Sequence, residues 1–383
     1  MARPPLQSEI DRETAEFKAA LDVQVETARA EASTQQADDI IEAVNIRETV
    51  ASPEVARDVF AGMIGKFGPA DVQRSMVRLF SGVGPRALVS HTEAQIDGGQ
   101  QLSDALTTPV ARAPVDTEQV KIGFEDLPPL GPPGKVTAAQ MLPGVDVEAL
   151  TLSNGTHVLL GHSTSEAGRV YVSVRFGLGR LGLPQDQMTP AWSVGTLAAT
   201  GIGAIKQDAL DQLINGRQIS MSFDGGDDAF FVRAMTRPAD LSDQLKLIAT
   251  KLAHPGWDAA PVLRARAALL LGLRTASSSP ADVLGRKLGA ALRNGDKRWA
   301  TPDEKDAQAL TPETFQQFWS PILASGALEV SIFGDFDPTT IHQAVLQSFG
   351  ALAPRADDRN RQRTDELARN RDPQRNSSDR GVV

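Results

Sequence analysis

Seven prolines between residues 106 and 145 constrain the fold of this 383-residue chain more than any other feature. They are Pro109, Pro114, Pro128, Pro129, Pro132, Pro133 and Pro143. Proline fixes φ and lacks a backbone N–H, so it interrupts both helices and sheet ladders. We therefore predict that 106–145 is an extended linker without regular structure, which separates an N-terminal region from a larger C-terminal domain.

The C-terminal domain, residues 146–353, alternates between strand-like and helix-like segments. Strands are predicted near 157–161, 170–176, 218–223, 230–235 and 328–333. Helices are predicted near 191–199, 207–215, 239–253, 259–276, 281–293, 312–323 and 338–349. This order predicts an α+β fold, a two-layer sandwich in which helices cover one face of a mostly antiparallel sheet.

The N-terminal region is predicted to be largely helical. Apolar residues at helical spacing predict two helices within 8–49, with Ser8 as the first N-cap. A third helix begins after Ser52, a fourth begins after Gly68, and residues 86–91 are predicted to form a strand.

An internal repeat links the two regions. Residues 68–90 align without a gap with residues 311–333, and both segments predict a capped helix, a glycine turn and a strand. We therefore predict that 1–105 is the C-terminal half of a domain homologous to 146–353.

The order of segments between Leu152 and Phe231 carries a family resemblance. The turn Leu152-Ser153-Asn154-Gly155, a strand at 170–177, a Gly/Ala-rich segment near 200–204 and a polar helix precede a hairpin at 217–234. This order resembles a domain of the insulinase/pitrilysin zinc metallopeptidases, and residues 8–13 resemble mid-domain sequence of bacterial multidomain members. In that family the catalytic domain carries H-x-x-E-H about forty residues after the Asn-Gly turn.

The window that corresponds to the zinc motif contains no zinc ligand. It reads Trp192-Ser193-Val194-Gly195-Thr196, without imidazole or carboxylate. The resemblance places a third ligand near Leu271 and Gly272, which also lack one. A catalytic zinc site needs three protein ligands and an open position for water. We therefore predict no catalytic, cofactor-binding or metal-ligating residue in this chain, so that zinc lies in the family's catalytic domain.

The resemblance implies a non-catalytic role in proteolysis. It implies a chamber-forming and peptide-binding portion that acts with a catalytic half or partner subunit, and the linker would join two halves that close around a peptide. An exposed strand edge would pair with an extended substrate. The alternative is an inactive homologue that serves as a binding or assembly subunit for an active peptidase. A third possibility is an unrelated enzyme whose site the sequence does not reveal.

Bulk composition excludes several other classes. The net charge of −9 argues against a nucleic-acid partner, and the absence of cysteine excludes disulfides and thiolate sites. No apolar run is long enough to span a bilayer, and the N-terminus lacks the apolar core of a signal peptide. The compartment is unknown from these features, although the resemblance suggests the periplasm.

Three short motifs are better explained by structure than by ligand binding. The G-x-G-x-x-G at 177–182 is followed by Pro184, which disfavours the helix that a dinucleotide site requires. Asp335 and Asp337 precede a helix, for which Asp337 is the predicted N-cap. The acidic stretch 224–228 is predicted to be a hairpin turn rather than a calcium loop.

Histidines and the C-terminal tail add no site. The five histidines are His91, His157, His162, His254 and His342. His157 and His162 are the only close pair, and no acid stands at ligand spacing from them. The tail, 354–383, is rich in arginine with almost balancing acids, and we predict that it is disordered and does not bind RNA.

Overall fold

The computed structural model describes residues 4–28, 33–82, 86–90, 96–109, 122–275 and 280–355. Its strands are β1 (Val136–Met141), β2 (Glu148–Leu152), β3 (His157–His162), β4 (Val170–Phe176), β5 (Ser222–Gly225), β6 (Phe230–Thr236) and β7 (Glu329–Gly334). They form one sheet in the order β1-β2-β3-β7-β4-β6-β5. Within these residues β3 and β7 are parallel, and every other neighbouring pair is antiparallel. The predicted α+β fold with a mostly antiparallel sheet is confirmed.

Helices account for most of the remaining described chain. They are α1 (Gln7–Thr27), α2 (Ser33–Asn45), α3 (Pro53–Met63), α4 (Pro69–Phe80), α5 (Gly98–Thr107), α6 (Gln207–Ile214), α7 (Leu241–Ala253), α8 (Ala259–Thr275), α9 (Pro280–Ala291), α10 (Glu304–Ala309), α11 (Pro312–Ala324) and α12 (Ile341–Gln347). A 3-10 helix, Pro190–Ala199, takes the place of the α-helix predicted near 191–199.

One face of the sheet is buried and the other meets solvent. In β4 the side chains of Val170, Val172 and Val174 are each no more than 2% exposed, whereas Tyr171 between them is 40% exposed. Successive side chains of a strand point to opposite faces, so this alternation marks a single covered face. Helices α7, α11 and α12 contribute Leu245, Trp319 and Val345 to the same core. Each such large buried side chain contributes roughly 1.5–3 kcal/mol to stability.

The Asn-Gly turn is tied to the far end of the domain. Asn154 is 7% exposed, and its Nδ2 donates to the backbone oxygens of Phe349 at 2.8 Å and Leu352 at 3.1 Å. Its Oδ1 accepts the Thr156 N–H at 3.1 Å. A buried amide with these partners fixes the start of β3 against the C-terminal segment.

The prediction of an unstructured linker over 106–145 is wrong for its second half. Residues 136–141 form the edge strand β1, which pairs with β2. Before it, Gly131 donates to Ala351 O at 2.9 Å and Gly134 donates to Leu346 O at 3.0 Å. The proline cluster ends at Pro133, so the following residues keep the N–H groups that a ladder requires. Residues 110–121 lie outside the described residues.

The N-terminal helices form near their predicted positions, with two corrections. Helix α1 begins at Gln7 after Leu6 rather than after Ser8, and the Glu9 carboxylate accepts the Leu6 N–H. The strand predicted at 86–91 is wrong for 86–90, which lie in no strand, and Leu88 is 94% exposed. Of the side chains described before residue 110, only those of Ile10 and Leu21 are buried. Helices α1 and α3 contact each other, with the Phe17 and Phe60 rings 4.7 Å apart, but no described strand lies in this region to cover their other apolar residues.

Two predicted elements of the C-terminal domain are shifted. Residues 218–221 are not in β5, because Gln218 N donates to Asp240 Oδ2 at 2.8 Å and Ser220 N donates to Gln244 Oε1 at 3.0 Å. Side chains at the start of α7 thus replace strand partners. The helix predicted near 338–349 begins at Ile341, after a turn in which Asp337 accepts the Thr339 N–H at 2.8 Å.

Candidate functional site

The segment that corresponds to the zinc motif lies between the sheet and helix α8. The 3-10 helix Pro190–Ala199, here called the 190–199 segment, contacts the edge strand β5 and also α8. The two elements that carry the positions where the resemblance places zinc ligands therefore meet in space. This meeting makes the segment the candidate functional site of the domain.

The side chains present at this site do not fit a zinc ion. Ser193 is 3% exposed and donates its hydroxyl to Pro190 O at 2.6 Å, and Val194 packs into the core. On α8, Leu271 is 64% exposed and the neighbouring residue is Gly272. Zinc binds imidazole nitrogen, carboxylate oxygen or thiolate, none of which these residues offer.

A buried lysine anchors the end of the 190–199 segment. Lys251 of α7 is 1% exposed, and its Nζ donates to Thr200 O, to Thr200 Oγ1 at 2.7 Å and to Gly201 O at 2.7 Å. Asp258 accepts the Gly201 N–H at 2.9 Å. Burial lowers the pKa of Lys251 to about 7, with an opposing attraction from Asp258. The lysine satisfies the backbone oxygens that a helix end leaves open.

A cavity of about 300 Å³ opens beside this segment. The cavity is lined by Trp192 and Val194 of this segment and by Gly225 of β5. Arg298 and Trp299, which are distant in the sequence, also line it. This volume is at the low end of small-molecule sites and fits a side chain or a short peptide portion.

Charge around this cavity is held in fixed geometry. Asp296 is 5% exposed, and Arg298 donates to it from Nε at 3.0 Å and from Nη2 at 2.7 Å. These hydrogen bonds lower the pKa of Asp296. Arg298 also donates to Leu181 O at 3.1 Å, and Trp299 Nε1 donates to Asp227 Oδ1 at 3.2 Å. The guanidinium and the indole are therefore positioned before any ligand arrives.

Two of the three short motifs have the following structural roles in the described chain. Gly177 and Gly179 both have φ near +59°, and Gly182 ends a three-residue 3-10 turn rather than opening an α-helix. Asp335 accepts the Gly168 N–H at 2.8 Å. The predicted N-cap role of Asp337 is wrong, because Thr340 precedes α12 and Asp337 holds the preceding turn.

The histidines do not gather into one site. His157 and His162 lie at the two ends of β3, and an odd spacing in a strand places them on opposite faces. His157 lies 3.4 Å from Thr151 Oγ1, whereas His162 stacks edge-on against Phe336. The other two described histidines, His254 and His342, contact Pro129 O and Glu148 Oε2. His91 lies outside the described residues, as do tail residues 356–383.

Sequence reasoning missed Lys251 and the Trp299 wall of the cavity. The signal for Lys251 was available, since it falls on the apolar face of α7 beside Ile248 and Leu252. A lysine on such a face is rarely buried without partners. Trp299 carried no signal, because only the fold brings residues 297–302 to the 190–199 segment.

Neither a metal-binding cluster nor a membrane-spanning helix occurs among the described residues. No cluster of three or more histidine or acidic side chains able to hold a metal was found there. In the same part of the chain, no helix has the length and apolar character to cross a membrane.

Comparisons with known proteins identify the fold. No family model matches the chain. The chloroplastic stromal processing peptidase of Arabidopsis thaliana is 26% identical over 210 residues, which are 54% of this chain and 17% of that protein. The stromal processing peptidase of Pisum sativum is 24% identical over 220 residues, 56% of this chain and 18% of that protein. The chain therefore spans less than a fifth of the length of these curated relatives.

Solved structures extend the fold similarity to almost the whole chain. A mutant of the ferredoxin protease FusC, in complex with Arabidopsis ferredoxin, matches 92% of this chain and 40% of its own, with 17% identity and a TM-score of 0.52. The periplasmic protease PqqL from Escherichia coli matches 91% of this chain and 39% of its own, with 15% identity and a TM-score of 0.52. The predicted resemblance to insulinase/pitrilysin peptidases is confirmed at the level of the fold.

Proposed function

We propose that this chain is a non-catalytic part of an insulinase-like zinc metallopeptidase. It forms a wall of the peptide chamber and binds the peptide, while a catalytic half or partner subunit holds the zinc. The observation that carries the proposal is that neither residues 192–196 nor residues 271–272 include a zinc ligand, although the 190–199 segment and α8 contact each other as elements. The peptidase names of the similar proteins support the polypeptide nature of the substrate.

Binding without hydrolysis follows from the chemistry of these residues. Peptide hydrolysis by zinc requires a metal-bound water and a base to take its proton. The 190–199 segment offers Trp192 and Thr196 where the family has ligands. Its end is fixed by Lys251, so the adjoining cavity keeps its shape. A rigid wall without zinc-ligating side chains can orient a peptide but cannot activate water.

A binding and cleavage assay on the purified chain tests this proposal. Fluorescent extended peptides are titrated with the chain in the presence of zinc, and anisotropy and cleavage are followed together. We expect saturable binding with a Kd in the range of about 1 µM to 1 mM and no cleavage. Cleavage that a chelator abolishes would overturn the proposal. The same protein, denatured by heat and kept unfolded in denaturant, is the control for nonspecific binding.

A second role, as an inactive homologue that assembles with an active peptidase, is favoured by the N-terminal helices. Met76 and Phe80 of α4 are 39% and 69% exposed, and exposed apolar residues on one helix face mark an interaction surface. Affinity purification from the native host, followed by mass spectrometry, distinguishes the roles. Recovery of a separate H-x-x-E-H peptidase at equal stoichiometry supports assembly; recovery of a longer product of the same gene supports the chamber role.

We further propose a periplasmic location, on the basis of the fold shared with the periplasmic protease PqqL. Fractionation of the native host with antibody detection tests this location. The proposal predicts the protein in the osmotic-shock fraction, and detection in the cytoplasmic fraction alone would contradict it.

A further inference from the structure

Two neighbouring cavities form a continuous groove beside the candidate site. The first is the 300 Å³ cavity at Trp192 and Trp299, and the second, of about 420 Å³, lies against α8 and α9. Thr301 and Pro302 line both cavities. Together the two cavities extend from the edge strand β5 to the C-terminal half of α8, where the resemblance places a third zinc ligand. We call the pair the cationic groove.

Charged side chains lining the cationic groove are mostly basic. Six arginines and lysines and two acids line the two cavities. The basic residues are Arg180, Lys297 and Arg298 in the first cavity, and Arg274, Arg286 and Lys287 in the second. The acids, Asp303 and Glu304, line the second cavity. This excess is local, since the whole chain has a net charge of −9.

The two acids of the groove are already engaged by helix α10. Asp303 Oδ1 accepts the Asp306 N–H at 2.8 Å, and this hydrogen bond lowers the pKa of Asp303. Glu304 Oε1 accepts from Gln308 Nε2 at 3.3 Å. Both carboxylates act within the first turn of α10, where negative charge is stabilised by the helix dipole.

The basic residues differ in how far they are neutralised. Arg298 is paired with the buried Asp296, and Arg180 lies 3.4 Å from Asp227. Lys287 and Lys297 form no ion pair within 4.0 Å among the described residues, although Asp303 attracts Lys297 over a longer distance. Two ammonium groups on one groove therefore remain for a ligand, and their attraction to carboxylates increases where apolar walls exclude water.

Apolar side chains line the cationic groove beside these charges. Trp192, Leu183 and Phe230 line the first cavity, and Leu270 and Leu273 line the second. An extended peptide presents side chains alternately to two sides, so apolar walls beside ammonium groups match a peptide with mixed apolar and acidic side chains.

From this geometry we infer that the cationic groove binds an extended polypeptide segment carrying glutamate or aspartate side chains. The inference rests on the proposed peptide-binding function and names its substrate class and its site. Carboxylates of the ligand pair with Lys287 and Lys297, and apolar side chains lie against the tryptophan and leucine walls. Acidic segments are thereby selected over neutral or basic ones.

Single-stranded nucleic acid is the competing polyanion. Its binding requires aromatic rings with open faces for base stacking. Trp299 already has the guanidinium groups of Arg293 and Arg298 at 4.7 and 4.9 Å from its ring centroid. This arrangement and the acidic chain favour a peptide, and an oligonucleotide arm in the experiment separates the two ligands.

The test measures binding of three twelve-residue labelled peptides to the full chain by fluorescence anisotropy. They share Leu, Ser and Gly positions and carry four Glu, four Gln or four Lys. The double variant Lys287→Gln/Lys297→Gln is compared with Lys66→Gln/Lys206→Gln, which removes two exposed lysines outside the groove. We expect the groove variant to weaken binding of the Glu peptide about three- to tenfold, with no change for the Gln peptide. The control variant should leave both affinities unchanged.

Each outcome decides a different point. Equal affinity for the Glu and Gln peptides, or equal loss in the groove and control variants, overturns the acidic-segment inference and leaves peptide binding intact. Absence of binding by all three peptides overturns the proposed peptide-binding function itself. Tighter binding of a twelve-nucleotide single-stranded DNA than of the Glu peptide overturns the assignment of the groove to a polypeptide.

Discussion

Helices α4 and α11 carry the same apolar pattern, but only α11 is buried. Trp319 of α11 is fully buried, whereas Phe80 of α4 is 69% exposed. In the gapless alignment of 68–90 with 311–333, apolar residues recur every four positions in both helices. The aligned pairs are Val72 with Phe315, Met76 with Trp319, and Phe80 with Leu323.

The difference between these helices is the sheet beneath them. After α11 the chain enters β7, which pairs with β3 on one side and β4 on the other. The aligned residues 86–90 lie in no strand. An amphipathic pattern is therefore sufficient to form a helix, but burial of its apolar side requires strands from elsewhere in a fold.

The largest expected effect is a loss of unfolding free energy that is much greater for a substitution in α11 than for the aligned one in α4. Trp319→Ala should lower the free energy of unfolding by about 3–5 kcal/mol, because it leaves a cavity under α11. The aligned change Met76→Ala should cost less than about 1 kcal/mol, since Met76 is already 39% exposed. Urea denaturation of both variants measures these values. Similar losses would show that α4 is packed as tightly as α11.

A pH dependence of the free energy of unfolding is expected from the buried C-terminal domain and not from the exposed N-terminal helices. Burial lowers the pKa of Lys251 to about 7, so at pH 7–10.5 the unfolded chain binds a proton that the folded chain does not. Stability from this group therefore rises with pH, by about 2 kcal/mol between pH 7 and 9.

Urea denaturation at several pH values measures this dependence. Lys251→Met should remove it, whereas the exposed Lys66→Met in the N-terminal region should leave it unchanged. A slope that persists in Lys251→Met would assign the proton to another group.

Helix caps provide a smaller contrast. Thr311 accepts the Thr314 N–H at 3.2 Å, and Thr311→Ala should destabilise the domain by about 1 kcal/mol. Ser52 caps α3, since its Oγ accepts the Val55 N–H at 3.4 Å. Ser52→Ala should increase local amide exchange in α3 without changing the free energy of global unfolding. Hydrogen exchange read by mass spectrometry distinguishes the two. A global loss from Ser52→Ala would mean that the N-terminal helices unfold together with the core.

The smallest stability effect is expected on the open face of α4. Met76→Asp/Phe80→Asp should change the free energy of unfolding by no more than about 0.5 kcal/mol, while lowering the fluorescence of a hydrophobic dye. Gln73→Asp/Ser75→Asp, which adds the same two negative charges at polar positions of the same helix, is the matched control. Equal dye fluorescence in both variants would place the apolar surface elsewhere.

Much of the C-terminal domain was predictable, because its strands and helices have clear periodicity. β4 alternates apolar and polar residues, and α11 has a threonine cap with proline at the first position. The order of these elements was sufficient to predict the fold and to locate the 190–199 segment. Local pattern and tertiary structure agree in these elements.

The failures share one cause, which is dependence on distant partners. Every side chain of β1 is exposed, and the segment is a strand only because β2 lies beside it. The strand predicted at 86–91 had the right composition, but no described strand pairs with 86–90. The cavity beside Trp192 likewise depends on residues 297–302, about a hundred positions later. Composition cannot report such pairings.

The zinc content of the purified chain tests the central claim most directly. The protein is incubated with zinc, freed of loosely bound metal, and analysed by elemental mass spectrometry. A non-catalytic chain should hold less than about a tenth of an equivalent, since a catalytic site binds one zinc tightly. Near one equivalent, lost in His157→Ala or His162→Ala, would contradict the account and place a metal site in this chain.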